Sequence, residues 1–143
     1  MLIFPPARIS TVGDKAVCPP MGLSYLASVI RDKYEVKILD SVVLGRNQER
    51  RLAWSYFEYG LSSDQIVQEV DKFSPQLVGI SCLFSHHLPL IKELCGKIKQ
   101  LSPEIITVTG GTHPSFLPEQ SFKYSPGLDF IVIGEGEESF PAL

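Results

Sequence analysis

Hydrophobic positions along this chain switch repeatedly between near-continuous runs and a spacing of three or four. Leu2-Ile3-Phe4 is a short apolar run that Pro5-Pro6 ends, because proline has no N–H to give a sheet ladder. Residues 7–18 read as a loop around Gly13-Asp14. Pro19-Pro20 then opens a helix over 21–32, with Leu23, Leu26, Ala27 and Ile30 on one face. Residues 34–39 alternate polar and apolar and predict a second strand with Asp40 at its end. The stretch 41–61 carries the loosest pattern, and the expectation there is a helix over 46–58 rich in aromatics (Trp54, Tyr56, Phe57).

Beyond it the signals sharpen. Ser62-Ser63-Asp64 caps a helix through Phe73, with Ile66, Val67 and Val70 inward and Pro75 closing it. Residues 76–81 are apolar enough for a strand buried on both faces. A helix over 88–101 follows, with Ser85 as its N-cap and Leu88, Ile91, Leu94, Cys95 and Ile98 as its apolar stripe. Strands are predicted at 104–109 and 128–133, a short helix at 118–124, and a last helix after Gly134-Glu135-Gly136. Strands alternating with helices imply a parallel sheet covered on both sides. The predicted fold is α/β: a doubly wound five-stranded parallel sheet, Rossmann-like or flavodoxin-like, in three α/β/α layers with strand order 2-1-3-4-5.

Composition narrows the function classes. A chain of 143 residues, 44% hydrophobic and 20% charged, suits a single globular domain with a good core. A net charge of −3 without any Lys/Arg run gives no footprint for nucleic acid or an anionic membrane. No apolar run approaches the ~20 residues of a membrane span. The three cysteines, Cys18, Cys82 and Cys95, form no C-x-x-C pair and suit reduced thiols, so the expected compartment is the cytoplasm. Both ends read as cut, which predicts a fragment of a longer protein.

In such a sheet, ligands bind beyond the carboxyl ends of the strands. The loops there contain neither G-x-G-x-x-G nor a P-loop, and no acid cluster of the kind a phosphoacceptor site needs. Ser81, His87 and Asp40 form a conceivable triad, but no G-x-S-x-G surrounds the serine, and local hydrogen bonding explains it better. His86, His87 and His113 read as polar loop residues, and Cys82 as a small buried hydrophobe. Glu135, Glu137 and Glu138 at a helix start suit the helix dipole. What remains is a wide, neutral crevice between Ser81-Cys82-Leu83 and Gly110-Gly111. The glycine pair either clears the backbone for a bulky ligand or supplies a strand-to-helix turn of positive φ.

Four segments together carry a resemblance: Pro19-Pro20-Met21-Gly22-Leu23-Ser24-Tyr25-Leu26-Ala27, Val78-Gly79-Ile80-Ser81-Cys82-Leu83, Gly110-Gly111-Thr112-His113-Pro114 and Val132-Ile133-Gly134-Glu135-Gly136-Glu137. In this order they resemble the cobalamin-binding domain that precedes the core of radical S-adenosylmethionine enzymes, the anaerobic Mg-protoporphyrin ester cyclase-like group. The resemblance implies that residues 1–143 form one cobalamin-binding domain, followed after residue 143 by a radical domain carrying S-adenosylmethionine and an iron–sulfur cluster. That parent would be an oxidoreductase or methyltransferase, its small-molecule substrate unspecified. It implies that Ser81 and Leu83 meet the cofactor's base and that Gly110 and Gly111 make room for its nucleotide tail. Thr112, Gly134 and Gly136 complete the implied binding set. The D-x-H-x-x-G of methyltransferase-type relatives is absent after the first strand, so the group below cobalt stays open, with His113 and His87 as remote candidates. No C-x-x-x-C-x-x-C is present either, so no radical chemistry, and no catalytic residue, is expected in this chain itself. The alternative is a cofactor-free domain of the same fold that recognises substrate or docks.

Overall fold

A computed structural model of the chain describes residues 1–9, 17–53 and 56–143. Its strands and helices, in order, are β1 (Leu2–Phe4), β2 (Ala7–Ile9), α1 (Met21–Ile30), β3 (Ile38–Asp40), α2 (Ser41–Leu44), β4 (Glu49–Ala53) and β5 (Tyr56–Tyr59). The second half contributes α3 (Ser63–Phe73), β6 (Leu77–Ser81), α4 (Leu88–Leu101), β7 (Ile106–Gly110), α5 (Thr112–Phe116), α6 (Pro118–Tyr124), β8 (Phe130–Val132) and α7 (Gly136–Ser139). Five of the strands form a parallel sheet in the order β3-β1-β6-β7-β8, the doubly wound order expected from the alternation of elements.

Alternate residues of each strand serve opposite faces, as the pleat requires. Ile3, Leu39, Val78 and Ile80 point to one side, where Ile66 and Val70 of α3 and Leu90, Ile91, Leu94 and Ile98 of α4 complete the larger core. Leu2, Val108 and Val132 point to the other, meeting Leu23, Leu26, Ala27 and Ile30 of α1 and, past α7, Phe140. The helical face read from the sequence of α1 is therefore the face that packs. Buried hydroxyls on the strands are satisfied: Thr109 Oγ1 donates to the Ile80 carbonyl at 2.9 Å, and Thr107 Oγ1 to the Gly127 carbonyl at 2.5 Å.

Helix ends follow their sequence signals in most places. Ser62 accepts from the Gln65 N–H while the Gln65 side chain accepts from the Ser62 N–H, a reciprocal cap. Asp40 does more than end a strand, since its carboxylate accepts from both Val42 and Val43 N–H at 3.0 Å and starts α2. Ser85 is not an N-cap. It begins a 3-10 turn, Ser85–His87, and its hydroxyl lies 3.0 Å from His113 Nδ1.

The main departure lies at 46–58. Among the described residues no helix forms there. β4 and β5 are an antiparallel hairpin, and β2 adds to it as a second sheet, β2-β5-β4. The physical reason is propensity plus a partner: Tyr56, Phe57 and Tyr59 favour a pleated surface, and β2, which follows the Pro5-Pro6 exit, supplies one. Trp54 and most of the loop expected around Gly13-Asp14 lie outside the described residues. Strand limits also move by a few residues, the second beginning at Ile38 rather than Tyr34. Among the described residues, no helix is long and apolar enough to cross a membrane.

Candidate functional site

A cavity of about 440 Å³ opens at the carboxyl ends of the parallel strands and runs down the α1 side of the sheet. Its upper wall holds Phe4, Ser81, Gly110 and Val132 at or near the ends of β1, β6, β7 and β8. Register brings these ends together, because Ser81 pairs with Gly110 and Gly110 with Val132. Lower down, Leu2, Gly79 and Val108 form the floor, with Leu23 and Leu26 of α1 opposite and Phe140 at the base. Gly79 matters to that floor, since a Cβ there would lie 3.0 Å from Leu2 Cδ2 and 3.4 Å from the Phe140 ring.

Of the residues expected to bind, Ser81, Leu83, Gly110, Gly111, Gly134 and Gly136 all line this one cavity. Thr112 does not; it opens α5 with its side chain exposed. The site also draws on α1, Leu2, Gly79, Val108 and Phe140, which the strand-end argument did not single out. The missed signal was the pleat: Leu2, Gly79 and Val108 share a face at alternate strand positions, so a groove beside Gly79 must be walled by them.

The glycine pair answers both readings of it. Gly111 sits at φ +119°, and a Cβ there would approach the Cys82 carbonyl oxygen to 2.8 Å, so the turn itself demands glycine. A Cβ at Gly110 would lie 3.3 Å from Val132 Cβ. Open volume is supplied elsewhere. A Cβ at Gly22 or Gly134 would meet nothing within 4 Å, and at Gly136 it would stand between Val132 Cγ1 (3.7 Å) and Leu26 Cδ1 (3.8 Å), both on the cavity wall.

The cavity is not neutral. Glu135 and Glu137 stand on its wall, and among the described residues no Lys or Arg lines it. Cys18 lies exposed at the rim, whereas Cys82 is buried behind the wall, where burial pushes its thiol up to about 11 and keeps it protonated.

The conceivable triad is not assembled. Asp40 is engaged as the α2 cap, and His87 is packed against Phe84 and His86. Burial, reinforced by the nearby His86 and Arg8, lowers His87 to about 4. His113 is buried with Nδ1 facing Ser85, and neither His87 nor His113 lines the cavity. Among the described residues no group of three His, Cys, Asp or Glu side chains could hold a metal ion.

Beside the cavity the small sheet grips the loop after β6. Glu58, 4% exposed, accepts from Arg8 Nε at 2.8 Å and from Arg50 Nη2 at 2.6 Å. Arg8 Nη1 also donates to the His86 carbonyl at 2.9 Å. This ties β2 and β5 to the turn that follows Leu83.

The family model described as the B12 binding domain matches residues 9–143. The chain belongs to the B12 binding domain family. Within that family's reach it is 36% identical over 124 residues, 85% of the chain, to a cytidylyl-2-hydroxyethylphosphonate methyltransferase of Streptomyces wedmorensis. It is 30% identical over its whole length to an anaerobic magnesium-protoporphyrin IX monomethyl ester cyclase of Synechocystis sp.. This B12 binding domain spans about a quarter of the length of those curated relatives, 23% and 26% respectively. In fold it is similar to a CheY-like protein of Pseudomonas aeruginosa, with a TM-score of 0.57 at 11% identity over 99% of this chain and 94% of that one. That likeness concerns the fold alone. The phosphoacceptor chemistry of a receiver domain has no counterpart in Phe4-Pro5 or Ser81-Cys82.

Proposed function

We propose that this B12 binding domain holds cobalamin at the carboxyl edge of its sheet and presents it to an adjacent radical S-adenosylmethionine domain of a longer protein, for methyl transfer or a related step. The observation that carries the reading is the cavity itself: an apolar slot beside Gly79, open between α1 and β8 and edged by Ser81. Its size falls within the roughly 300–1,000 Å³ of small-molecule sites.

The residues fit the group. The walls are Leu2, Leu23, Leu26, Val108 and Val132, suited to a flat heterocycle, and the space at Gly22, Gly134 and Gly136 is what side chains would fill. Among the described residues the Ser81 hydroxyl has no partner of its own, so it is free to hydrogen-bond a buried ring nitrogen. Leu83, Gly110 and Gly111 would close the slot above it. When bound, the corrinoid would supply a cobalt centre able to carry a methyl group. The chain's own part is to bind, orient and shield it. S-adenosylmethionine and the iron–sulfur cluster belong to the downstream domain under this reading.

The test is direct. The purified chain is mixed with hydroxocobalamin, passed over a sizing column, and its visible spectrum recorded. A corrinoid spectrum travelling with the protein is expected. A colourless protein peak would overturn cofactor binding and leave the cofactor-free docking domain.

A further inference from the structure

Ser115 lies half-buried on α5 and lines no part of the cavity, yet its hydroxyl holds two loops that do. Its Oγ donates to the Gly111 carbonyl at 2.8 Å and accepts from the Gly134 N–H at 3.0 Å. The first bond is ordinary, because a helical serine often returns to the carbonyl one turn back. The second is not local. It spans 19 residues of chain, from the loop after β7 to the loop after β8. The ladder between these strands ends at Gly110 and Val132, and among the described residues no other hydrogen bond joins the loops beyond it.

The two loops are unequally held. The one after β7 is fastened to the loop after β6, since the His113 N–H donates to the Cys82 carbonyl. The one after β8 has little of its own: Ile133, Gly134 and Glu135 are exposed, and a Cβ at Gly134 would meet nothing within 4 Å. With so little burial to hold it, that loop takes its position from the Ser115 hydroxyl. Gly111 and Gly134 both line the cavity, so the tie fixes the separation of two parts of its wall. We infer that Ser115 is a positioning residue for the bound corrinoid, keeping the loops after β7 and β8 together and so slowing the cofactor's release. This rests on the cofactor reading above and adds what governs retention at that site.

The test measures the release of hydroxocobalamin from the loaded full chain after dilution, for the parent, Ser115→Ala and Ser115→Thr. Ser115→Ala is expected to release it about fivefold faster, the scale of one neutral hydrogen bond, with association little altered. Threonine in a helix keeps a hydroxyl that can reach the same carbonyl, so Ser115→Thr should return to within about twofold of the parent. Two measurements on the cofactor-free proteins separate positioning from folding. The urea midpoint of Ser115→Ala should stay near the parent's, because alanine is the better helix former, while amide exchange at Gly134 quickens. Parental release by a folded Ser115→Ala, or release by Ser115→Thr as fast as that of Ser115→Ala, would overturn the inference and leave cofactor binding intact. A collapsed urea midpoint in Ser115→Ala would overturn it too, by showing the hydroxyl to be structural. If hydroxocobalamin does not bind the parent, the cofactor reading falls and this one with it.

Discussion

A Cβ at position 111 would stand 2.8 Å from the carbonyl oxygen of Cys82. The same oxygen accepts a hydrogen bond from the His113 N–H at 3.3 Å, so the loops after β6 and β7 are laced together at that point. Gly111→Ala must therefore move the lacing and also place a side chain at φ +119°. We expect a loss of about 1–3 kcal/mol of unfolding free energy, the usual cost of such strain. Urea unfolding reads it directly. A variant as stable as the parent would mean that the turn relaxes freely and that this glycine is not structural.

Gly136 provides the opposite case. A side chain there would stand between Leu26 and Val132 without backbone strain, inside the proposed binding slot. Gly136→Leu also gains helix propensity, up to about 1 kcal/mol. It should leave the unfolding midpoint unchanged or raised, yet weaken hydroxocobalamin binding by more than about tenfold, equal to about 1.4 kcal/mol. Full retention of the cofactor by a folded Gly136→Leu protein would place the ligand outside the slot. Gly110→Val is the poorer probe, because its Cβ already crowds Val132 at 3.3 Å and a binding loss could come from repacking.

These two glycines also show how far the sequence could be read. Period and punctuation were enough for the parallel sheet, its order and the packing faces of α1 and α3, since Leu23, Leu26, Ala27 and Ile30 or Ile66 and Val70 announce their face by spacing alone. The strand-end rule pointed to Ser81, Leu83 and Gly110, which line the cavity. It could not say which glycine serves the turn and which leaves space, because that depends on where a neighbouring carbonyl falls. The hairpin of β4 and β5 was misread as a helix for a similar reason. Its pairing partner, β2, lies some fifty residues away, and local pattern carries no record of it.

That distant pairing makes a prediction about stability. Glu58 is almost fully buried between Arg8, whose side chain is 12% exposed, and Arg50, whose side chain is 55% exposed. Removing the carboxylate charge leaves Arg8 desolvated beside a neutral amide, so Glu58→Gln should cost about 3 kcal/mol. Arg50→Ala removes a largely solvated partner and should cost less than about 1 kcal/mol. Denaturant titrations of both variants check the ranking. Equal losses would show that Arg8 and Glu58 do not form the dominant pair.

Acid should weaken the fold partly through His87. Its imidazole is buried, stacked edge-on to His86 and Phe84, and lowered from 6.5 to about 4 mainly by that burial. The unfolded chain takes up its proton near pH 6.5 and the folded one only near 4. The contribution is therefore fully present above pH 6.5 and is lost progressively as pH falls from 6.5 to 4. Between pH 7.5 and 4.5 this amounts to roughly 2–3 kcal/mol for a shift of this size. Carboxylates such as Asp129 and Glu93, held down by their lysine partners despite the opposing effect of burial, add their own losses in acid. Comparing the parent with His87→Phe cancels those terms, because a phenyl ring keeps the packing against Phe84 but cannot titrate. The difference in unfolding free energy between the two proteins should shift by that amount, in favour of His87→Phe, on going from pH 7.5 to 4.5. A difference that stays constant over that range would show that His87 is protonated in the fold at no cost, with its ring reaching water.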